Sequence, residues 1–244
     1  MLRALKPFSL LVLLALVSAC ATTPKVKSPE ANFKEGVELY DKHDWEEAIK
    51  SFKKVKEAYS SAELTTKSEL YIADAHFENK AYIEAAAAYE DFRKLHPSHE
   101  KAAYALYRFG LSHYREINGI DTDQTPVKSA HAAFDTFLAQ YPKSEYAAEV
   151  KEKRDDCVDK ELQYEIYVGS YYLRTGSYPS AIKRLSEALA KFPKTPHQPE
   201  NLYYLGKAYL KQGDREKGTT TLKRLAAEYP DTKWNKDGQE LLAP

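Results

Sequence analysis

Several features that define common protein classes are scarce in this chain of 244 residues. Its two cysteines, Cys20 and Cys157, are too few for a scaffold held together by disulfides. Lysine and arginine total 36, as do aspartate and glutamate, so the chain lacks the positive charge that attracts phosphate backbones. The composition therefore predicts neither a disulfide-rich domain nor a nucleic-acid-binding protein.

Motifs that accompany catalysis or metal binding are also missing. There is no GxSxG nucleophile turn, no HExxH zinc motif and no glycine-rich phosphate loop. His96 and His99 supply two ligands where a zinc site takes three or four, and Asp121 and Asp123 lack the other ligands of an EF-hand. Cys157 lies on an apolar helical stripe, which favours a buried thiol over a reactive one. We predict a protein that is not an enzyme and holds no cofactor or metal.

An uninterrupted apolar run occurs at the N-terminus. Residues 1–6 carry two positive charges, and residues 8–17 are apolar except for one serine. This pattern is typical of a secretory signal peptide, and the run is too short to span a bilayer. Small residues lead directly to Cys20, an arrangement that resembles the bacterial lipobox. In such signals the cysteine receives a lipid, the chain is cut before it, and the new amino terminus is acylated.

The lipobox defines the first two predicted segments. Residues 1–19 form a signal peptide, and residues 20–30 form an acylated spacer whose polar residues and prolines favour a linker. Two or more acyl chains at Cys20, palmitate among them, anchor a protein stably. Ala21 stands where aspartate commonly signals retention in the inner membrane of Gram-negative bacteria. We therefore expect a lipid anchor in the outer membrane; the alternative is an ordinary signal peptide with a coincidental cysteine.

The remainder of the chain repeats one helical motif. Proline turns recur as LHPSH, QYPKSEY, KFPKTPH and EYPDTKW, and small residues precede them at intervals of twelve, as in Gly169, Ala181 and Pro193. Small residues at these positions predict a close approach of two helices. A larger residue follows the second small position by four. These larger residues are Phe52, Tyr89, Phe134, Leu185 and Leu222.

This motif resembles the tetratricopeptide repeat, a helix–turn–helix unit of about 34 residues. We predict an all-α superhelix of five such repeats, because a single unit cannot bury its apolar face alone. An eight-residue insertion in the third repeat falls in the stretch NGIDTDQTP and predicts a loop. One long helix is expected over residues 144–174 and a capping helix over residues 233–242. The alternative is an irregular helical bundle with coincidental spacing.

The repeats divide the chain into two predicted halves. Residues 31–142 contain repeats one to three, and residues 143–244 contain the long helix, repeats four and five and the cap. The first helices of the N-terminal repeats carry aromatic residues that predict a groove for an extended or helical peptide. The predicted groove residues are Phe33, Tyr40, Leu70, Asp74, Phe77, Tyr104, Tyr107, Leu111 and Tyr114. The corresponding C-terminal positions are more basic and include Arg174, Lys207 and Lys211.

In combination, the lipobox, the repeats, the insertion and the long helix resemble the BamD family. The most specific stretches are YRFGLSHY (107–114), DTDQTPVKSAHAAFDTFLAQYPKSEY (121–146) and YEIYVGSYYLRTGSYPSAIKRL (164–185). The resemblance implies a non-enzymatic lipoprotein of the β-barrel assembly machinery, the BAM complex, on the periplasmic face of the outer membrane. It implies that the N-terminal repeats receive the C-terminal strand of unfolded barrel proteins.

The resemblance also implies that the C-terminal repeats dock the POTRA region of BamA and other Bam lipoproteins. Arg184 falls where the family has an arginine near the BamA contact, and we expect Arg174 and Tyr178 to take part. The chain departs from the family pattern at Ser60, which replaces a repeat proline, and in a shorter insertion. A tetratricopeptide lipoprotein of pilus or cell-envelope assembly, similar to a pilotin, is the alternative function. A cell-wall enzyme is a third hypothesis, disfavoured by the missing catalytic motifs.

Overall fold

The computed structural model describes residues 27–59 and 61–243 of the chain, which contain eleven helices and no strand. The predicted signal peptide, Cys20 and most of the spacer lie outside the described residues, as does Ser60. The helices are α1 (Pro29–Asp41), α2 (Trp45–Ala58), α3 (Ala62–Glu78), α4 (Tyr82–Leu95), α5 (Ala102–Arg115), α6 (Thr125–Gln140), α7 (Ala147–Arg174), α8 (Tyr178–Lys191), α9 (Gln198–Gln212), α10 (Arg215–Glu228) and α11 (Lys233–Leu242).

Each helix packs chiefly against its neighbours along the chain. The pairs are α1–α2, α3–α4, α5–α6, α7–α8 and α9–α10, and α11 covers the last pair. The predicted all-α tetratricopeptide superhelix is confirmed, and the cap has the predicted bounds. Polar side chains set several helix starts, because they accept hydrogen bonds from backbone N–H groups that lack a partner in the first turn. Ser28 caps α1 in this way at 3.2 Å from the Ala31 amide.

Small residues lie beneath large ones at the centre of the helix pairs. A Cβ atom built on Gly110 of α5 would stand 2.5 Å from Phe134 Cε1 of α6, and one on Gly169 of α7 would stand 2.6 Å from Leu185 Cγ of α8. Phe134 and Leu185 are fully buried. The close approach that the spacing predicts is therefore present, and a methyl group at either glycine would collide with the neighbouring helix.

Helix α7 joins two hydrophobic clusters. Its first half contributes Val150 and Cys157 to the cluster of repeats two and three, and its second half contributes Leu162 and Ile166 to the cluster of repeat four. The helix has 28 residues and begins at Ala147 rather than at residue 144. The reason is the preceding turn, in which the Ala147 amide donates to the Ser144 carbonyl at 3.0 Å. The predicted long helix is otherwise confirmed.

The residues considered for metal or thiol chemistry have structural contacts. His96 Nε2 lies 2.6 Å from Glu69 Oε2, and His99 Nδ1 accepts a hydrogen bond from the Lys101 amide. Cys157 is fully buried, and burial raises the pKa of its thiol to about 12, as the prediction of a buried thiol requires. In residues 27–59 and 61–243 no group of three His, Cys, Asp or Glu side chains is arranged so that it could hold a metal ion. None of the helices there combines the length and hydropathy of a membrane span.

Candidate functional site

The first candidate site is a groove of about 560 Å³ beside α1, α3 and α5, which we call the N-terminal groove. Four of the nine predicted groove residues line it, namely Phe33, Leu70, Asp74 and Tyr104. Three of them come from α1 and α3, the first helices of repeats one and two. First helices therefore line a groove in this part of the chain, and the binding of a peptide there stays a prediction.

Aromatic packing holds the apolar floor of the N-terminal groove in place. Phe33 meets Tyr71 edge-on with ring centroids 5.8 Å apart, and Tyr71 stacks on buried Phe52 at 4.9 Å. Leu70 extends the floor and stays partly exposed. Leu70 and Tyr71 share one face of α3 with Asp74, because residues three and four apart are neighbours on a helix. Sequence reasoning omitted Tyr71, although its spacing from Asp74 indicates that shared face.

A buried polar network supports the side of the N-terminal groove. Asp74 Oδ1 accepts hydrogen bonds from Tyr89 Oη at 2.5 Å and from Tyr104 Oη at 2.8 Å. Arg108 Nε donates to Tyr89 Oη at 3.1 Å, and its guanidinium also pairs with Glu78 at 2.7 Å. Burial raises the pKa of the Asp74 carboxyl even though the two tyrosines favour its charged form. The network fixes a carboxylate beside the groove and connects α3, α4 and α5.

The rim of the N-terminal groove carries charges of both signs, since Lys67, Glu100 and Lys101 all line it. Lys67 lies on α3 and pairs with Glu63 one turn earlier at 2.5 Å. Lys101 stands at the start of α5, is exposed, and forms no ion pair within the described residues. Both lysines, like His99, were missed from the sequence, because only the fold brings the starts of α3 and α5 to one rim.

The remaining predicted groove residues lie outside the N-terminal groove. Tyr40 packs edge-on against Trp45 at 4.9 Å, and burial raises the pKa of Tyr40 to about 12. Phe77 is buried, and the Arg108 guanidinium lies 3.7 Å from its ring centroid. Leu111 is also buried, within the cluster of repeats two and three. The contacts of these three side chains are structural, and a ligand-binding role for them stays a prediction.

Tyr107 and Tyr114 connect α5 to the long helix α7. Their hydroxyl groups donate to Glu149 at 2.8 Å and to Asp156 at 2.7 Å, respectively. Tyr107 also stacks on Tyr146 with ring centroids 4.5 Å apart. The two tyrosines are seven residues apart, so they share the face of α5 that packs on α7. Tyr146 in turn lines the N-terminal groove and was missed from the sequence.

The second candidate site is a groove of about 270 Å³ between the end of α7, the start of α8 and α9, which we call the C-terminal groove. It contains Arg174 and Tyr178, two of the three predicted docking residues. From α9 it receives Tyr204, Lys207 and Lys211, which are spaced by three and four residues and therefore share a face. The basic character expected of the C-terminal half is concentrated here.

Arg184, the third predicted docking residue, lies elsewhere on α8. Its guanidinium forms an ion pair with Glu165 of α7 and stands 5.7 Å from the centroid of the Tyr164 ring. Tyr164, Tyr167 and Tyr171 form a row along one face of α7. Tyr167 is 42% exposed and Tyr171 is 53% exposed. The structure thus separates the predicted docking residues into the C-terminal groove and a second surface around Arg184. The exposed tyrosine row was missed from the sequence.

Comparison with known proteins identifies relatives along most of the chain. The model of a family described as an outer membrane lipoprotein, YfiO, matches residues 25–225. The outer membrane protein assembly factor BamD of Caulobacter vibrioides is 29% identical over 237 residues, covering 93% of this chain and 77% of that protein. Its namesake in Neisseria meningitidis serogroup A is 28% identical over 233 residues, covering 88% of this chain and 87% of that protein.

Among solved structures, the TPR2AB domain of yeast Sti1 in its pHSP90 complex is 13% identical to this chain. The comparison covers 88% of this chain and 84% of that one, with a TM-score of 0.46. The family model, in contrast, extends from before α1 into α10. The resemblance indicated by the sequence motifs is confirmed. The chain belongs to the YfiO family of outer membrane lipoproteins.

Proposed function

We propose that this chain is a non-enzymatic lipoprotein of the BAM complex, where it binds BamA and receives unfolded outer-membrane β-barrel proteins. Support comes from its family and from relatives that are named outer membrane protein assembly factors. The observation that carries the substrate role is the N-terminal groove, in which an apolar floor lies next to an unpaired cation. Membership in this family favours barrel assembly over the pilotin-like alternative.

The N-terminal groove suits the C-terminal strand of a barrel protein that ends in an aromatic residue. The floor of Phe33, Leu70 and Tyr71 offers edge and face contacts to an aromatic ring. Lys101 is placed to pair with the terminal carboxylate. Within the described residues no hydrogen bond reaches Asp74 Oδ2, so this oxygen can accept a backbone N–H of an extended chain.

Anchorage and docking complete the proposal. The acylated Cys20 holds the chain in the outer membrane, and the spacer places the repeats in the periplasm. Arg184, Arg174 and Tyr178 contact the POTRA region of BamA, and other Bam lipoproteins bind the same C-terminal half. We assign no cofactor, metal or nucleic acid to this function.

A peptide-binding titration tests the substrate role. The ligand is a fluorescein-labelled peptide of alternating polar and apolar residues that ends in phenylalanine with a free carboxylate. Leu70→Glu and Lys101→Glu are expected to weaken binding at least tenfold, because one inserts a charge into the floor and the other removes the carboxylate partner. Lys128→Glu, an exposed site on α6, is the matched control.

Two modified peptides test the contribution of Lys101 and that of the apolar floor separately. Amidation of the C-terminus should weaken binding to the unmodified protein but add little to the effect of Lys101→Glu. Replacement of the final phenylalanine by serine should weaken binding to the unmodified protein and to Lys101→Glu alike. Equal affinity of all peptides and all variants would reject the N-terminal groove as the substrate site.

A further inference from the structure

The C-terminal groove concentrates positive charge that the fold itself does not neutralise. Arg174, Lys207 and Lys211 line it together, and no aspartate or glutamate is among its lining residues. In the described part of the chain none of these three cations forms an ion pair with a carboxylate. Elsewhere on the C-terminal repeats, Arg184 pairs with Glu165 and Arg224 pairs with Glu228.

Two tyrosines give the C-terminal groove its walls. Tyr178 and Tyr204 are partly buried and line the groove together with the three cations. Lys207 lies over the ring of Tyr203, 5.4 Å from its centroid, and its Nζ is 3.4 Å from Tyr203 Oη. Contact with a neighbouring ring restricts the lysine, so less side-chain freedom is lost when it binds an anion.

We propose that the C-terminal groove binds an acidic, extended segment of a partner protein through Arg174, Lys207 and Lys211. The proposal rests on the docking role proposed above for the C-terminal repeats, and it adds the chemistry of the ligand. Carboxylates of the segment pair with the three cations, and the tyrosine rings contact the chain between them. Because the net formal charge of the whole sequence is zero, the attraction is local to this groove.

The spacing of the lysines suits an extended segment. Lys207 and Lys211 are one helical turn apart, which places their Cβ atoms about 6 Å from one another. Alternate residues of an extended chain share a face and are about 7 Å apart. Two acidic residues separated by one other residue therefore match the two lysines.

The concave shape favours a peptide over a membrane surface. The cations come from helix ends and from one helix face around a depression, where a single chain can enter but a bilayer surface cannot follow. Arg184 is outside this groove and already pairs with Glu165. A partner that uses both places would present a folded surface to Arg184 and an acidic tail to the groove.

Fluorescence anisotropy with the mature, detergent-solubilised protein tests the proposal. The probe is a labelled twelve-residue peptide containing two Glu-Phe-Glu units separated by Gly-Ser. Lys207→Glu/Lys211→Glu and Arg174→Glu are expected to weaken its binding at least tenfold, and raised salt should weaken binding to the unmodified protein. Lys183→Glu/Lys223→Glu changes the same net charge at exposed sites on second helices and should leave the affinity within twofold. Circular dichroism verifies that each variant is folded.

A peptide with glutamine in place of every glutamate should bind at least tenfold more weakly than the acidic one. Equal binding of the two peptides, or an unchanged affinity of the groove variants, would overturn the proposal. Vesicles containing phosphatidylglycerol are the second probe. If they bind the protein in a way that the groove substitutions abolish while the acidic peptide does not bind, an anionic lipid headgroup is the ligand and the proposal fails.

Capture of BamA separates this proposal from the proposed function. If the unmodified protein captures BamA but does not bind the acidic peptide, the acidic-segment site is rejected and the proposed docking role is not. Conversely, an unmodified protein that binds the acidic peptide but captures no BamA would leave the groove intact and reject the proposed docking role.

Discussion

Tyr104 of α5 donates a 2.8 Å hydrogen bond to Oδ1 of Asp74 on α3, at the side of the N-terminal groove. The same oxygen accepts a second bond from Tyr89 of α4, which in turn accepts from Arg108. One carboxylate therefore connects three consecutive helices and fixes the position of a groove-lining tyrosine. Loss of either phenol is expected to affect both the stability of the fold and the shape of the groove.

We expect Tyr104→Phe to lower the free energy of unfolding by about 1 kcal/mol, because Asp74 loses one partner while it keeps the other. Tyr89→Phe should cost more, since it removes one bond to Asp74 and one from Arg108 in a fully buried position. Urea denaturation monitored by circular dichroism measures both. Tyr59 is 88% exposed, so Tyr59→Phe is the control and should leave the free energy of unfolding unchanged. Equal stability of all three variants would show that the network contributes nothing.

The contact between Gly169 and Leu185 makes a second prediction. Gly169→Ala places a Cβ 2.6 Å from Leu185 Cγ and should destabilise the fold by about 1–3 kcal/mol, as overpacking does. Adding Leu185→Ala should cancel much of the clash, so that the two substitutions together cost less than the sum of their separate effects. Denaturation of the single and double variants gives this coupling energy. If the two losses of stability simply add, the added Cβ at residue 169 does not clash with Leu185.

These two contacts differ in how far the sequence could predict them. The position of Gly169 sixteen residues before Leu185 recurs in repeats one, two and five, and the insertion lengthens the interval in repeat three. A repeated interval indicates a packing contact that each helix pair must make. Asp74 was predicted as a groove residue from its place on a first helix. Its bonds to Tyr89 and Tyr104 were not, because nothing in a single sequence specifies which polar groups meet between helices. The same holds for the rim cation Lys101 and for Tyr146.

The predicted docking residues show the same limit. Tyr178 and Arg174 are close in sequence at a turn and fall into one groove, whereas Arg184 is only six residues further along α8 and faces Glu165 instead. The helical rotation between Tyr178 and Arg184 moves the arginine to a different part of the surface. The prediction, in which Arg184 came from the family resemblance, therefore grouped three residues that the fold places at two surfaces.

His131 and Glu161 predict a pH dependence of stability. His131 Nδ1 lies 2.6 Å from Glu161 Oε1, and this hydrogen bond raises the pKa of His131 although burial opposes it. Burial acts to raise the pKa of Glu161, but its bonds from His131 and from Lys191 at 3.2 Å outweigh burial and lower it. Asp135 at 3.3 Å also favours the charged histidine, and nearby Arg154 opposes it.

The signs define a window. A raised histidine pKa stabilises the fold fully below about 6.5, and the contribution is lost as the pH rises through the raised value. A lowered glutamate pKa stabilises above about 4.5 and is lost as the pH falls through the lowered value. The destabilisation caused by His131→Gln should therefore be greatest near pH 5.5 and smaller at pH 9. Urea midpoints at both pH values test this, with His43→Asn, an exposed site, as the control. If the stability difference between His131→Gln and the unmodified protein does not change with pH, the pairing of His131 with Glu161 is contradicted.

The buried thiol of Cys157 predicts slow chemical modification. The side chain is fully buried, and burial raises its pKa to about 12, so little thiolate is present at pH 8. We expect Ellman's reagent to react with Cys157 at least a hundredfold more slowly in the folded protein than in 6 M guanidinium chloride. A variant with Cys20 replaced by serine isolates this thiol. Rapid reaction of the folded protein would show that α7 opens readily at this position.

The central claim concerns the partner of the chain in the outer membrane. The most direct measurement is capture of the acylated protein from outer membranes in mild detergent, followed by identification of its largest stoichiometric partner. We predict a barrel protein with POTRA domains, and we expect Arg184→Glu to reduce its recovery while the adjacent exposed substitution Lys183→Glu does not. Recovery of a secretin or a peptidoglycan-linked protein without any barrel protein would contradict the assembly role and favour the pilotin-like function.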